Sequence, residues 1–415
     1  MIQEKLQMMF EQANRLYELR QFAEAIELYD ELAIGCKSLI AAGQTEWQPY
    51  LLRAQTNRAA TLASLERLTE ALAACAEVIT GYQQLIAAGQ TELLPYLLSA
   101  QMNQAVTLES LERFPEALSA YEKAITGFKL LTYNGQTELP PDLFKAETNQ
   151  ALILDRLGHL REALAVHTNA IAGFKLLIHK GQTELLPYLF KAETNRALTL
   201  ESLGHFPEAL AAHTNAIAGF KQLIEAGQTQ LQLELSRAQM NQAINLRRSG
   251  RLPEALVACT EVIAGFKLLI VAGQTELLPC LLIEQENRAL TLESLGHFPE
   301  ALAAHTDVIA GLKQLIATGQ TQLQSELLLV QMNRAVTLAS LGHFPEALAA
   351  HTDVIAGFKL LIHKGQTELL PYLLKAETNR ALTLESLGRL PEAMAAYNDL
   401  YTMRISPVPT ETQQE

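Results

Sequence analysis

The tripeptide Gly-Gln-Thr recurs eight times, beginning at Gly43, Gly89, Gly135, Gly181, Gly227, Gly273, Gly319 and Gly365, always 46 residues apart. No insertion or deletion interrupts the series. A period of about 20 to 50 residues marks an array in which each unit buries its apolar face on the next. Nine units of 46 account for all but one of the 415 residues. A single repeat array is therefore expected in place of the two or three domains that length alone suggests.

Residues 181–226 serve as the specimen unit. Gly181 suits the left-handed conformation that ends a helix, and Thr183 is placed to cap the next one, with Glu184 in its first turn. Pro187 falls where a missing N–H costs little. Leu185, Leu189, Ala192, Ala197, Leu200 and Leu203 follow helical spacing up to a break at Gly204-His205. Pro207 opens a second helix, with an apolar stripe through Phe206, Ala209, Leu210, His213, Ala216, Ile217, Phe220, Leu223 and Ile224. Each unit reads as a helical hairpin with helices of roughly 18 to 20 residues, about 27 to 30 Å long.

Gly35, Gly81, Gly127, Gly173, Gly219, Gly265, Gly311 and Gly357 fall inside the second helices. A mid-helix glycine costs about 1 kcal/mol relative to alanine. Its repetition predicts a neighbouring backbone packed too close for a Cβ; the alternative is a tolerated residue copied by duplication.

The run from Asn195 to Leu210, with Ala216 and Ile217 beyond it, resembles the tetratricopeptide repeat. That family places a small and a large residue in its first helix, Gly at the turn, then Glu-Ala and a later Ala in the second. Ala197, Leu200, Gly204, Glu208, Ala209 and Ala216 stand at those places, and the pattern returns in every unit. The resemblance implies an all-α, right-handed α-solenoid of nine stacked helical hairpins over residues 1–403, its first and last units acting as caps. The family period is usually about 34 residues. Here Lys221 stands where a closing proline is usual, which leaves the superhelical pitch open. The usual mid-helix aromatic is replaced by a column of Tyr29, Cys75, Tyr121, His167, His213, Cys259, His305, His351 and Tyr397. Ile405-Ser406-Pro407-Val408-Pro409 cannot stay helical, so residues 404–415 are expected to be a disordered tail.

Thirty-two Lys and Arg against 45 Asp and Glu give a formal charge of −13. That balance argues against nucleic acid or an anionic membrane as partner, since both require a positive field. Cys36, Cys75, Cys259 and Cys280 form no paired motif and read as small buried residues of a reduced protein. The first residues lack the pattern of a signal peptide, and no run of about 18 apolar residues occurs, so a cytoplasmic location is expected.

The ten histidines fall into columns. Members of a column lie a repeat apart, about 10 Å if layers pack at the usual helix spacing, whereas zinc ligands lie about 2 Å from one metal. His167, His213, His305 and His351 are instead expected to be buried and neutral, with lowered pKa. HExxH, GxSxG and a Gly-rich phosphate loop are lacking, so no catalytic residue, metal or cofactor is expected.

The resemblance places the binding surface on the concave face formed by the first helices. Transferred column by column, that face carries Asn57, Asn103, Asn149, Asn195, Asn241, Asn287, Asn333 and Asn379. One turn earlier lie Arg53, Lys145, Lys191, Arg237 and Lys375, interrupted by Ser99, Ile283 and Leu329; further on come Glu109, Asp155, Glu201, Glu293 and Glu385. In the heat-shock co-chaperones of the family, an Asn followed by Arg and a small residue helps hold a peptide, and Asn195-Arg196-Ala197 is similar. The clamp's second basic residue is missing from the Asn column, so chaperone-tail specificity is not implied. An Asn amide matches the N–H and C=O of an extended chain, and Lys or Arg beside it favours carboxylates. The expected function is a protein- or peptide-binding scaffold whose partner is acidic or carries a free C-terminus. A regulatory sensor for a small peptide or metabolite, and a structural or self-assembling spacer, are the alternatives. The alternative to recognition is that the asparagines are struts between adjacent helices inside the stack.

Overall fold

The computed structural model describes residues 2–133 and 140–405. The third Gly-Gln-Thr and the tail beyond Ile405 lie outside the described residues. Among the described residues every regular element is helical. The chain divides into two compact units, Met1–Gly219 and Phe220–Glu415. The first holds α1 (Ile2–Glu18), α2 (Phe22–Ala41), α3 (Gln48–Ser64), α4 (Leu68–Ala87), α5 (Leu94–Ser110) and α6 (Phe114–Tyr133). It continues with α7 (Pro141–Arg156), α8 (Leu160–His179), α9 (Leu186–Ser202) and the start of α10 (Phe206–Glu225). The second holds α11 (Gln232–Arg248), α12 (Leu252–Val271), α13 (Leu278–Ser294), α14 (Phe298–Ala317), α15 (Gln324–Ser340), α16 (Phe344–His363), α17 (Leu370–Ser386) and α18 (Leu390–Ile405).

Within each unit the helices stack as successive hairpins. In the first, each helix from α1 to α8 packs on its successor, and the first helices touch in the order α1–α3–α5–α7–α9. In the second, α11–α13–α15–α17 do the same. Each unit thereby presents a row of adjoining first helices, the arrangement expected of a tetratricopeptide-like α-solenoid.

Both kinds of turn are built alike. Gly181 has φ +101° and Gly204 φ +83°. Beyond α8, Gly181 N–H donates to Ile178 O at 2.9 Å and Gln182 N–H to Leu177 O at 3.2 Å. This pair of bonds satisfies two orphan carbonyls and needs a left-handed residue. Thr183 does not cap the following helix, contrary to expectation. It opens a 3-10 turn, Thr183–Leu185, without a side-chain cap, and α9 begins after it with Pro187 in its first turn. The first helices are accordingly 17 residues long, 16 in α7, shorter than expected, and the second helices 20 up to α16.

The mid-helix glycines are a packing requirement, but the partner is a side chain and not a backbone. A Cβ on Gly81 would come 2.6 Å from Leu52 Cδ2, on Gly127 2.2 Å from Leu98 Cδ2, and on Gly173 2.0 Å from Phe144 Cε1. Each hairpin thus inserts one large residue of its first helix into the notch left by a glycine of its second. Gly265 is the exception: its neighbour is Ser236, whose Oγ lies 3.3 Å from the ideal Cβ. Ser236 is fully buried and its hydroxyl has no hydrogen-bond partner.

Burial follows the same columns. Tyr29, Cys75, Tyr121, His167, His213, Cys259, His305 and His351 are all buried, as are Phe128, Phe174, Phe266 and Phe358 deeper in the second helices. The cysteines are free thiols; three are buried, whereas Cys280 is half-buried. No helix among the described residues is long and apolar enough to cross a membrane.

Candidate binding site

The asparagine column lies half-buried on the first helices throughout, and its members behave differently. Asn57 Nδ2 donates to Asn14 Oδ1 on α1 at 2.8 Å, and Asn333 Nδ2 to Glu286 Oε1 on α13 at 2.9 Å. These two tie one first helix to the next. Asn287 Nδ2 donates to Glu284 Oε2 at 3.1 Å within α13. Asn195 Nδ2 and Asn379 Nδ2 are buried with no hydrogen-bond partner. Asn103 and Asn241 share the same half-buried position.

The basic row also divides. Arg53 lies among three rings, with its guanidinium carbon 5.1 Å from the centre of Phe10, 5.9 Å from Tyr50 and 5.3 Å from Tyr96. Arg237 is exposed, 3.5 Å from Glu234, and Lys375 is exposed. Lys145 Nζ lies 3.0 Å from Asp142 and 4.5 Å from the centre of the Tyr188 ring.

One cavity gathers members of both rows. It has a volume of about 200 Å³ and is lined by Met102, Lys145, Thr148, Asn149, Phe174, Tyr188 and Lys191. Lys145, Asn149 and Lys191 line it together with the apolar Met102 and Phe174 and the half-exposed Tyr188 ring, while the Thr148 hydroxyl donates to Phe144 O at 2.8 Å within α7. Such a set can hold a carboxylate through charge-assisted hydrogen bonds while an attached apolar body packs below it. Met102, Thr148, Phe174 and Tyr188 were not singled out in the sequence; the recurring Tyr50, Tyr96, Tyr188 and Tyr372 were the available signal.

The same cavity recurs three repeats later with its polarity inverted. In the second unit about 200 Å³ is enclosed by residues including Ile283, Glu286, Asn287, Leu312, Glu326 and Leu329. These are the positional counterparts of Lys145, Thr148, Asn149, Phe174, Tyr188 and Lys191. The asparagine is kept, both lysines become aliphatic, and two carboxylates appear.

The acidic row does not extend the site outward. Each acid turns into its own hairpin, toward the column residue twelve positions later, which is buried except for Tyr397 in the last hairpin. Tyr121 Oη donates to Glu109 Oε2 at 3.3 Å. His167 Nε2 lies 3.5 Å from Asp155 Oδ2, His213 Nε2 2.9 Å from Glu201 Oε1, and His305 Nε2 3.3 Å from Glu293 Oε1. Tyr397 Oη donates to Glu385 Oε2 at 3.3 Å. Threonines of the following hairpin also reach the acids: Thr199 Oγ1 donates to Asp155 at 2.6 Å, and Thr337 Oγ1 to Glu293. Burial raises the Glu109 pKa against the opposing hydrogen bond from Tyr121.

The buried histidines therefore differ in charge. Burial alone would lower His305, but hydrogen bonds to Glu286 and Glu293 outweigh it and raise its pKa to about 9. The expectation of a neutral imidazole fails there because two carboxylates flank the ring. His351 has no such neighbours, and burial lowers its pKa to about 4. Glu284, fully buried, is raised by burial to about 7, opposed by hydrogen bonds from Asn287 and Cys259 and by the charge of Arg247.

No family model matches the sequence, and no curated protein matches it. Solved structures share the fold. The apo form of the quorum sensor NprR from B. thuringiensis aligns with a TM-score of 0.58 at 14% identity, over 97% of this chain and 99% of its own. Aspartyl phosphate phosphatase F from Bacillus subtilis aligns with a TM-score of 0.56 at 15% identity, over 100% of this chain and 97% of its own. A Rap protein complexed with Competence and Sporulation Factor gives a TM-score of 0.51 at 14% identity, over 92% of this chain and 99% of its own. At these identities the likeness establishes a tetratricopeptide-like helical-repeat fold.

Proposed function

We propose that this chain is a protein- or peptide-binding scaffold whose first helices form the receiving face, with the Lys145–Asn149–Lys191 cavity reading an acidic side chain or a free C-terminus. The single observation that carries the reading is the convergence of two lysines and an asparagine on one apolar-floored cavity. The ammonium groups supply attraction, the amide supplies direction, and Phe174 and Tyr188 supply area for the body of the ligand. The remaining members of the two rows, Asn195 above all, extend the face along the adjoining first helices.

Capture of partners from the native lysate, followed by mass spectrometry, supplies the ligand for the test. Reversal of both lysines, Lys145→Glu with Lys191→Glu, should weaken a captured acidic partner about tenfold or more, since hydrogen bonds to charged groups contribute about 1.5–3 kcal/mol each. The same double change should reduce the salt dependence of binding. Equal binding by wild type and variant would defeat the reading.

A regulatory sensor is the second reading. Its support is that similarly folded chains include a quorum sensor and a Rap protein in complex with Competence and Sporulation Factor. A sensor must bind its ligand differently in two conformations, so a ligand-dependent change in small-angle scattering favours it over a passive scaffold.

A further inference from the structure

The column that pairs acids with buried rings has one histidine out of step. Asp155, Glu201 and Glu293 each face the Nε2 of a histidine twelve residues on. His351 has Ala339 in that place. It also has Met332 where Glu286 approaches Nδ1 of His305 at 2.8 Å. Beside Ala339 lies a cavity of about 230 Å³, whose walls include Val336, Phe344, His351, Asn379 and Thr383. His351 is 1% exposed, and its Nδ1, the nitrogen that meets Glu286 in His305, has no hydrogen-bond partner; the nitrogen that meets Glu293 in His305 is Nε2. Asn379 Nδ2, on the facing helix, is likewise buried without a partner.

The preceding hairpin shows what these groups do when an acid is supplied by the chain. There, Glu293 Oε1 meets His305 Nε2 at 3.3 Å and accepts a hydrogen bond from Thr337 Oγ1. Thr383 is the repeat counterpart of Thr337, and Asn379 that of Asn333. The Thr383 hydroxyl donates to Asn379 O at 2.8 Å, a bond that Thr337 makes to Asn333 O at 3.2 Å while also serving Glu293. The histidine and threonine that meet Glu293 are thus repeated, while the side chain that carried the carboxylate is cut back to a methyl; Asn333 donates to the other acid, Glu286, whose place Met332 takes.

We infer that the Ala339 cavity takes a carboxylate from outside the chain, held by His351 and Thr383 where Glu293 sits one repeat earlier, with the unpartnered Asn379 amide lining the same cavity. The site is in the second unit, shares no residue with the Lys145–Lys191 cavity, and does not depend on the function proposed for that cavity. Two sources supply this chemistry: a small free carboxylic acid, or the carboxylate of a bound polypeptide. Binding is coupled to protonation. His351 is the one titratable group lining the cavity from α15, α16 or α17 among the described residues, and burial keeps it neutral near pH 7. An entering carboxylate favours the imidazolium, so a proton is taken up and the His351 pKa rises.

The test follows the His351 imidazole resonance, assigned with His351→Gln, in the full chain. Acetate is one probe; the tripeptides acetyl-Ala-Glu-Ala-amide and acetyl-Ala-Gln-Ala-amide are the others, with sodium chloride matching ionic strength. Acetate or the Glu peptide should raise the His351 pKa by about one unit or more, and the Gln peptide should not. Response to the Glu peptide alone assigns a polypeptide carboxylate, and response to acetate a free acid; both support the site. Ala339→Glu should supply the carboxylate internally, raise the His351 pKa and abolish the response. Glu293→Ala should create a new acetate response at His305. Should Ala339→Glu fail to fold, the milder Thr383→Val must still weaken the response. A His351 resonance unmoved by either carboxylate at about 100 mM, a hundredfold above a Kd of about 1 mM, overturns the inference, as does an acetate response that survives Ala339→Glu.

Discussion

His305 Nδ1 lies 2.8 Å from Glu286 Oε2, inside the core of a hairpin. Its second nitrogen lies 3.3 Å from Glu293, so one buried imidazole is held between two carboxylates. One repeat later His351 occupies the same column with Met332 and Ala339 at the corresponding places. The two histidines should therefore act on stability in opposite pH ranges. His305, raised to about 9, contributes stability that is full below its unfolded value of about 6.5 and is lost as pH rises toward 9. His351, lowered to about 4, resists protonation that the unfolded chain accepts near 6.5, so its contribution is lost as pH falls from about 6.5 to 4. Urea unfolding should show His305→Gln losing most below about pH 7, whereas His351→Gln should relieve acid sensitivity. Parallel profiles for the two variants would contradict this assignment.

The first three hairpins close their inner turn with a side chain where the later ones use glycine. Arg20, Glu66 and Glu112 have φ of 60°, 60° and 57°, while Gly158 and Gly204 stand at the corresponding turns with φ of 81° and 83°. A left-handed L-residue costs about 1–2 kcal/mol, and glycine adds back about 0.5–1 kcal/mol of chain entropy. Glu66→Gly and Glu112→Gly should each raise stability by up to about 1 kcal/mol. The reverse change, Gly158→Glu, should lower it. The urea midpoint at constant slope measures both.

The glycine notches should sort by their partner. Gly173→Ala would drive a Cβ to 2.0 Å from the Phe144 ring, an overlap that costs about 1–3 kcal/mol or more even after repacking. Gly265→Ala meets the Ser236 hydroxyl at 3.3 Å and Gln232 Nε2 at 4.0 Å and should gain up to about 1 kcal/mol of helix propensity. Equal effects of the two substitutions on the unfolding midpoint would mean that the notch is not filled as described.

The sequence carried the hairpin, its period and its glycine columns because duplication repeated the Gly-Gln-Thr turn signal without drift. It misplaced the start of the first helices because a 3-10 turn separates Thr183 from α9, and an N-cap and the start of such a turn share residue preferences. The acid row was visible as a row but not as the partner of the histidine column. That pairing crosses a turn, and its offset of twelve residues belongs to no single-helix periodicity. The cavities were half legible. Lys145, Asn149 and Lys191 stood in the transferred columns, and Ile283 and Leu329 stood out as interruptions. Glu286 and Glu326 lie on different helices, α13 and α15, so only the packing of the two first helices reveals that they line one space.

The asparagine column should separate into struts and readers. Asn57 spends its amide on Asn14, which also accepts the Tyr29 hydroxyl at 2.7 Å, so Asn57→Ala leaves a half-buried network short of a donor. It should cost about 1 kcal/mol of stability, the net worth of such a bond, and leave ligand binding unchanged. Asn195 has no partner for its buried Nδ2, so Asn195→Ala should change the melting temperature little and weaken a captured partner instead. The paired cavities supply an internal control. An acidic peptide should perturb the Met102 methyl resonance beside Lys145 and Lys191, yet leave the Ile283 and Leu329 methyls unmoved, because Glu286 and Glu326 repel it there. Replacing Ile283 and Leu329 by lysine together with Glu286→Thr and Glu326→Tyr should transfer the response to the second unit. An acidic peptide that perturbs both cavities equally in the wild-type chain would show that apolar contact, not charge, governs what the first-helix face binds.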